Sequence, residues 1–189
     1  MITSHFELME QCAEIGLRGD TKALPVLFTA LAHADWRVRY AAAVALGDVP
    51  DSSSVEPLLK ALAVEDAASL YNQPPLPAGG FAGAPGGVRP TFAEGTTDDQ
   101  IDAWRRRGRL KQAICLALGE IGENSPAVLV ALHRYAVDAG EDYLVRASSC
   151  KALGKIASPT SRAVLTAASK DEEWCTAKEA SKALERLPA

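Results

Sequence analysis

The residues of this sequence that could serve as nucleophiles or metal ligands are few and widely separated. The histidines are His5, His33 and His133, and the cysteines are Cys12, Cys115, Cys150 and Cys175. No histidine has a second ligand four residues further on, and no two cysteines form a Cys-x-x-Cys pair. Gly-x-Ser-x-Gly and Gly-x-x-x-x-Gly-Lys motifs are absent as well. We therefore predict no metal, no cofactor and no catalytic residue, and reduced cysteines of which Cys115 and Cys150 fill the core.

The densest group of charged side chains is basic and lies between residues 104 and 111. It consists of Arg105, Arg106, Arg107, Arg109 and Lys111, and it follows Trp104. The planar guanidinium group suits carboxylates and phosphates, which it binds in a bidentate manner. One interpretation is a solvated helix face that the aspartates at 98, 99 and 102 partly neutralise. The other is a site for an anion or an acidic partner, and that site would comprise Trp104, Arg105, Arg106 and Arg109.

A long segment rich in proline and glycine, about residues 67–97, precedes the basic run. It contains five prolines and six glycines, so no helix or strand is expected to persist through it. Loops of this length in compact domains are usually functional or disordered, and a solvated linker would lack aromatic residues. We therefore predict that part of the segment packs on the rest of the domain or on a binding partner. The residues predicted to make that contact are Tyr71, Phe81, Arg89 and Phe92.

The elements that must position these groups are organised around a repeated stretch, of which residues 35–47 are the clearest copy. The leucine of its closing Leu-Gly recurs as Leu46, Leu118, Leu153 and Leu184, at spacings of 72, 35 and 31 residues. A sequence repeat of about 30–45 residues, in which each unit has the apolar spacing of helices separated by turns, indicates an α-solenoid. The first spacing is about two periods long, which places an insertion in the second repeat.

The apolar residues of the stretch lie on one face of a helix, because they recur at steps of three and four residues. They are Val38, Ala41, Ala42, Ala45 and Leu46. Small side chains of this kind let a neighbouring helix approach closely. Gly47 is predicted to end the helix, because glycine adopts a positive φ without strain. A helix pair this small cannot bury its apolar face alone, so adjacent repeats must cover it.

Residues 25–47 follow the pattern Pro-Val-Leu-x-x-x-Leu-x-x-x-Asp-Trp-x-Val-Arg-x-x-Ala-Ala-x-Ala-Leu-Gly, which resembles a HEAT repeat. More narrowly, the pattern is similar to the short HEAT-like repeats named after phycobilisome lyases. The resemblance implies an all-α fold, a short right-handed α-solenoid of helical hairpins with the Pro/Gly-rich loop inserted in the second repeat. It also implies that the aspartate and arginine columns form a structural ladder between repeats. In this chain those residues are Asp35, Arg39, Asp142 and Arg146.

We predict one domain in which four repeats follow an N-terminal capping helix. The cap occupies residues 1–20, repeat one 21–49, repeat two 50–122 with the loop at about 67–97, repeat three 123–157, and repeat four with the C-terminal cap 158–189. In repeat two, the first helix is expected over about 53–65, with the turn to the second helix at Asp66. After Thr97 helix resumes, and Gly108 is expected to kink or divide it.

The net charge and the apolar runs of the chain argue against two classes of protein. The net charge of −4 argues against a nucleic-acid partner, and no apolar run approaches the ~18 residues of a membrane span. The N-terminus lacks a basic leader, so we expect a cytoplasmic protein. We predict a non-enzymatic scaffold that binds a protein or peptide through its concave face and inserted loop. The resemblance implies an alternative, a lyase or chaperone for a tetrapyrrole (bilin), and a nucleic-acid-binding HEAT-like protein ranks third.

Overall fold

The computed structural model describes residues 4–72 and 95–188, with side chains for all of these except 68–72. Within these ranges the chain forms nine α-helices and no strand, which confirms the all-α prediction. The helices are α1 His5–Arg18, α2 Leu24–Leu31, α3 Trp36–Asp48, α4 Val55–Asn72, α5 Asp98–Ile121, α6 Pro126–Val137, α7 Tyr143–Ile156, α8 Arg162–Ala168 and α9 Trp174–Arg186. None of the described helices is both long enough and apolar enough to cross a membrane.

The helix starts follow from capping side chains that the sequence displays. Ser4 and Glu7 form a capping box at α1, and Thr97 and Gln100 form another at α5. Asp35 caps α3 by accepting a hydrogen bond from the Arg37 N–H at 2.8 Å. These side chains satisfy backbone donors that a helix N-terminus leaves without partners.

The helices form two layers, as expected for an α-solenoid. The second helices of the successive repeats, α3, α5, α7 and α9, lie side by side and are here called the second-helix layer, with α1 packed on α3. The first helices α2, α4, α6 and α8 cover its other side. Successive second helices contact each other far more extensively than successive first helices do, so the repeats are joined mainly through the second-helix layer.

The glycines of the Leu-Gly columns lie inside helices, so the prediction that Gly47 ends its helix is wrong. α3 continues to Asp48, and Gly119 and Gly154 are likewise helical. Their role is close approach between repeats. A Cβ placed on Gly119 would lie 2.7 Å from the Cα of Ala152, and one on Gly154 would lie 2.8 Å from the Cα of Ala183. The true C-caps include Gly19 and Gly122, both with positive φ, and Ala157, with a φ of 53°.

The second repeat departs most from the prediction. α4 continues through Asp66 to Asn72, because residues 67–72 contain good helix formers and no proline lies between residues 58 and 73. α5 runs unbroken from Asp98 to Ile121, so Gly108 neither kinks nor divides it. Instead, a Cβ on Gly108 would lie 2.8 Å from Oδ2 of Asp142. Both helices are therefore longer than their counterparts in the first repeat.

When the repeats are aligned, Gly108 of α5 corresponds to Trp36, the first residue of α3. α5 begins ten residues earlier than Gly108, at Asp98. Residues 98–107, here called the α5 extension, lengthen the helix by about 15 Å at a rise of about 1.5 Å per residue.

The core consists mainly of alanine, leucine and valine from both layers. Cys12, Cys115 and Cys150 are buried in it, as predicted for Cys115 and Cys150. Burial raises the pKa of the Cys115 thiol to about 12 and that of Cys150 to about 12. Both thiols are therefore protonated at neutral pH, which makes them poor nucleophiles.

Candidate binding site

A pocket of about 630 Å³ lies where α2, α3, α4 and the α5 extension meet. We call it the edge pocket. Its apolar lining includes Phe28, Leu31, Trp36, Ala61, Val64 and Ala103. Ala103 and two arginines of the α5 extension contribute to this lining, so the lengthening of α5 helps to build the pocket. Pockets of this size and apolar character are typical of ligand or side-chain binding sites.

The charged lining of the edge pocket is mostly basic. Of the charged residues in the described part of the chain, Arg39, Lys60, Arg106 and Arg107 line it together with one carboxylate, Glu65. Nη2 of Arg39 donates to Oε1 of Glu65 at 2.9 Å, and its Nη1 donates to the carbonyl oxygen of His33 at 3.0 Å. Burial lowers the pKa of Arg107, and the charges of Glu65 and Glu141 oppose that shift. The pocket therefore contains more positive than negative charge, next to an apolar surface.

The structure separates the residues of the predicted basic-run site. Arg106 lines the edge pocket, whereas Trp104, Arg105 and Arg109 are not among the residues that line it. Arg105 and Arg106 are both exposed and lie 3.6 Å and 3.7 Å from Asp102. Exposed pairs at such distances contribute little to stability, so the arginines can exchange partners at small cost.

Between the repeats, basic residues of the second-helix layer form ion pairs with acids that were not predicted as members of the ladder. Arg39 pairs with Glu65, and Lys111 pairs with Glu141 at 2.6 Å and with Asp66 at 2.8 Å. Further along, Arg146 pairs with Asp171 at 3.0 Å. The acids of this inter-repeat ladder are thus Glu65, Asp66, Glu141 and Asp171. Asp35 and Asp142 instead cap helices α3 and α7.

A sequence signal for these acids exists. Glu65 and Glu141 each immediately precede an aspartate that aligns with Asp35 in the repeat pattern, Asp66 and Asp142. Each lies 26 or 30 residues after the basic residue that it pairs with. An acidic and a basic residue separated by about one repeat length are therefore a sequence pattern that predicts an ion pair across the boundary between two repeats.

Tyr135 extends the ladder at its centre. Its hydroxyl donates to Oδ2 of Asp66 at 2.7 Å, and Arg134 also binds that oxygen. The Lys111 side chain is only 3% exposed, whereas those of Asp66 and Arg134 are 26% and 54% exposed, so this cluster ties α4, α5 and α6 together at the boundary between interior and surface. Paired in this way, the charges avoid the large cost of burial without a partner.

Of the four predicted loop residues, the structure describes only the backbone of Tyr71. Phe81, Arg89 and Phe92 lie outside the described residues. Tyr71 belongs to α4, but its side chain is also outside the described part.

The exposed face of the second-helix layer combines apolar and charged residues. In the first two repeats, a groove of about 250 Å³ between α3 and α5 is lined by Tyr40, Val44, Gln112 and Leu116, among others. In the last two repeats, this layer presents exposed lysines. They are Lys151, Lys155, Lys178 and Lys182. Lys155 pairs with Glu120, and Lys182 pairs with Glu179 at 2.7 Å, which neutralises part of this charge.

The histidines take part in local contacts. Nδ1 of His33 accepts the Asp35 N–H at 3.0 Å, and Nδ1 of His5 lies 3.0 Å from Oδ2 of Asp35. His133 contacts the Ser161 hydroxyl at 2.9 Å, and burial lowers its pKa. Within residues 4–72 and 95–188, no three His, Cys, Asp or Glu side chains are grouped as metal ligands.

Compared with known protein families, the chain matches HEAT repeats over residues 10–70 and 105–187. The protein belongs to the HEAT-repeat family. The match is to HEAT repeats in general, and the narrower similarity to phycobilisome-lyase repeats stays a prediction. Among solved structures, this HEAT-repeat chain is similar to human deoxyhypusine hydroxylase in complex with glycerol, at 21% identity and a TM-score of 0.40. That similarity covers 98% of this chain and 80% of the other. A search of curated proteins finds no match.

Proposed function

We propose that this HEAT-repeat chain is a non-enzymatic scaffold that binds a protein or peptide partner. The partner would contact the exposed face of the second-helix layer and the inserted segment that contains Phe81, Arg89 and Phe92. The observation that best supports this proposal is the groove between α3 and α5, beside which Tyr40 and Val44 are exposed. Stacked repeats offer an extended surface of this kind for recognition.

The chemical character of the groove favours a protein partner. Val44 is 41% exposed and Tyr40 38% exposed, on a helix whose other faces are packed in the core. Aromatic and aliphatic side chains grouped around a groove are typical of the central part of protein interfaces. Asp48 and Glu120 also line the groove, and they would add polar contacts around that centre.

The ion pairs between the repeats also support a structural role for the charged residues that form them. Lys111, Asp66 and Glu141 are engaged with one another between helices. Such pairs fix the register of neighbouring repeats, and the same groups are then not exposed to a substrate.

The test is affinity capture from a lysate of the source organism, read by mass spectrometry. Four baits are compared: the intact chain, a variant with residues 73–94 replaced by a short Gly/Ser linker, Val44→Glu, and Val130→Glu. Val130 is 69% exposed on α6 in the first-helix layer, so Val130→Glu is the matched control for an added surface charge.

We expect a partner that the intact chain and Val130→Glu capture equally, and that Val44→Glu and the linker variant lose. If all four baits capture the same proteins, neither proposed surface binds the partner and the proposal is wrong. If the intact bait captures no protein but acquires visible absorbance bands, a tetrapyrrole-binding function replaces the scaffold.

A further inference from the structure

We propose that the outward side of α1, α3, α5, α7 and α9, here called the layer face, recognises one partner segment that is apolar at one end and acidic at the other. This inference rests on the proposed function, because it takes a protein or peptide to bind the second-helix layer. It adds the chemistry of that partner and the direction in which the partner crosses the helices.

α1 continues the second-helix layer by one helix. Its Ile15-Gly16 lies 31 residues before Leu46-Gly47, which is also the spacing of the last two leucines of the repeat. A Cβ on Gly16 would lie 3.3 Å from the Cα of Ala45, and the glycines of the later repeats approach the next helix at the matching alanine. This common contact keeps the five helices in register.

The register places two rows of side chains across the layer face. The first row contains Ala13, Val44, Leu116, Lys151 and Lys182. The second row contains Leu17, Asp48, Glu120, Lys155 and Arg186. All of these side chains are exposed except that of Leu116, which is half-buried. Neither row has a basic residue on α1, α3 or α5, whereas both rows are basic on α7 and α9, so the layer face changes character along its length.

The end of the layer face formed by α1, α3 and α5 is apolar. Phe6 and Leu17 are 76% and 89% exposed on α1, and Tyr40 and Val44 are exposed beside the groove between α3 and α5. Phe6 precedes Ala13 of the first row by two helical turns, so the two residues lie on the same side of α1. Apolar side chains grouped in this way mark a surface that an apolar partner covers.

The opposite end is basic, and α7 contributes to it without any compensating acid of its own. The sequence of α7 contains no aspartate or glutamate. Lys155 pairs with Glu120 of α5, whereas Lys151 forms no ion pair among the described residues. Lys151 and Lys155 are four residues apart, so their like charges are neighbours on the helix surface and repel each other. A carboxylate bound beside Lys151 would relieve that repulsion.

α9 adds three exposed basic side chains and two acidic ones. Lys182 pairs with Glu179 at 2.7 Å, and Nζ of Lys178 lies 4.5 Å from the centroid of the Trp174 ring. Arg186 forms no ion pair within the part of the chain that the structure describes. After the ion pairs are counted, α7 and α9 therefore retain a positive surplus, on a chain whose net charge is −4.

Acids at the apolar end fix the direction of the partner. Asp48 and Glu120 line the groove between α3 and α5, where they would repel an acidic residue of the partner. Attraction at α7 and α9 and repulsion at the groove act in the same sense, since a partner placed in the reverse direction would meet like charges and leave the apolar surface uncovered.

The distance between the two ends sets the spacing in the partner. Packed helices lie about 8–10 Å apart, so two helix spacings, about 16–20 Å, separate the groove between α3 and α5 from the gap between α7 and α9. An extended chain covers about 3.3 Å per residue. The apolar and acidic residues of an extended partner are therefore about five or six positions apart.

The experiment uses the full chain and a phage library of random 16-residue peptides. The most enriched peptide is labelled, and its dissociation constant is measured by fluorescence anisotropy with the intact chain and five variants. Val44→Glu and Lys151→Glu alter the apolar and the basic end of the layer face. Val130→Glu on α6 and Lys22→Glu in the turn before α2 are the matched controls, because both residues are exposed outside the layer face. Ala103→Trp fills the edge pocket.

We expect enriched peptides in which large apolar residues and Asp or Glu are about five or six positions apart. The affinity should fall at least about fivefold in Val44→Glu and in Lys151→Glu, and less than about twofold in the three other variants. Circular dichroism checks that each variant is folded.

A second peptide, in which Asn and Gln replace each Asp and Glu, tests the charge contact directly. This amide peptide should bind the intact chain at least about fivefold more weakly than the acidic peptide. With Lys151→Glu the amide peptide should bind at least as tightly as the acidic one, because the acids then face a glutamate. A folding defect would weaken both peptides alike and would not reverse their order.

Three outcomes would overturn the proposal. If Val44→Glu weakens binding but the acidic and amide peptides bind the intact chain equally, the scaffold function stands and the acidic end of the partner is wrong. If only Ala103→Trp weakens binding, the edge pocket and not the layer face recognises the peptide. If no peptide is enriched, the layer face does not bind such segments, and capture from the lysate separately decides whether the scaffold function fails as well.

Discussion

At the scale of single residues, glycine sets the spacing of the repeats. Replacing Gly119 with alanine puts a Cβ 2.7 Å from the Cα of Ala152, so the two helices must separate. At Gly47 the nearest heavy atom would be 3.3 Å away, and less adjustment is needed. Alanine also favours the helix by about 1 kcal/mol over glycine. We therefore expect Gly119→Ala to lower the free energy of unfolding by about 1–3 kcal/mol, and Gly47→Ala to change it little.

Urea denaturation followed by circular dichroism measures this difference. Equal destabilisation by both substitutions, or stabilisation by Gly119→Ala, would show that these glycines do not determine the distance between repeats. The sequence alone did not predict this role, because a Leu-Gly at the end of an apolar run looks the same whether glycine ends the helix or contacts its neighbour.

Lys111 is the residue whose removal should destabilise the protein most through charge. Lys111→Met leaves Asp66 and Glu141 without their buried partner, and we expect a loss of about 3–5 kcal/mol in the free energy of unfolding. Lys60→Met is the control, because the Lys60–Glu56 pair is exposed and should contribute less than about 1 kcal/mol. A loss at Lys111 no larger than at Lys60 would contradict the structural importance of this cluster. Chemical denaturation at pH 7 gives both values.

The same cluster makes stability depend on pH. Burial raises the pKa of Asp66, but hydrogen bonds from Lys111, Arg134 and Tyr135 outweigh it and hold that pKa below its ordinary value. The unfolded chain therefore takes up the proton first, so the stabilisation is present above about pH 4 and is lost as pH falls through the lower folded-state pKa. Lys111→Met removes the hydrogen bond and the positive charge of Lys111, which both lower the pKa of Asp66, so in this variant that pKa is higher and Asp66 protonates more readily. We expect the stability difference between the intact chain and this variant to shrink from pH 7 to pH 4.5, as thermal melts would show. A constant difference would mean that Asp66 does not titrate with the cluster.

At the scale of secondary-structure elements, helix starts followed from the sequence better than helix ends. Ser4 and Thr97 cap their helices, and the sequence displays both caps, because each capping side chain and its partner lie within three residues of each other. The end of α4 was misplaced, because alignment with Asp35 in the first repeat put a turn at Asp66, where the local residues favour a helix. Alignment between repeats cannot reveal an insertion that lengthens both flanking helices.

One helix end offers a direct test. Ala157 ends α7 with a φ of 53°, in the left-handed region that costs an L-residue roughly 1 kcal/mol. We expect Ala157→Gly to raise the free energy of unfolding by about 1 kcal/mol. Ala177→Gly, in the interior of α9, should lower it by about the same amount. Thermal or urea denaturation measures both. A decrease in stability for Ala157→Gly would show that the left-handed geometry is not what the cap requires.

At the scale of the whole molecule, the periodic leucines were enough to predict the solenoid, because each repeat is stabilised mainly by its neighbours. The edge pocket could not be predicted in the same way. It brings Phe28 of α2 together with Arg106 of the α5 extension, residues that are far apart in sequence and belong to no shared column. A contact of that kind depends on how far α5 extends, which the repeat pattern does not encode.

The whole-molecule prediction concerns the inserted segment. Within the described residues, α4 and α5 pack against each other, α5 also packs against α3 and α7, and α4 also contacts α2 and α6. We therefore expect the solenoid to fold without residues 73–94 when a short Gly/Ser linker joins the two helices. Loop-closure entropy changes by only about 0.6 kcal/mol for each doubling of loop length, so the melting temperature should change by only a few degrees.

Helical content from circular dichroism and the midpoint of thermal unfolding test this expectation on the same linker variant that serves in the capture experiment. A matched variant with a scrambled order of residues 73–94 keeps the length and composition of the insertion. If both variants unfold at the temperature of the intact chain, the segment contributes little to stability and is available for partner recognition. A large decrease in the unfolding temperature of both variants would show that the sequence of the segment packs on the solenoid. Loss of the partner by the linker variant would then result from unfolding and would not identify the segment as the recognition element.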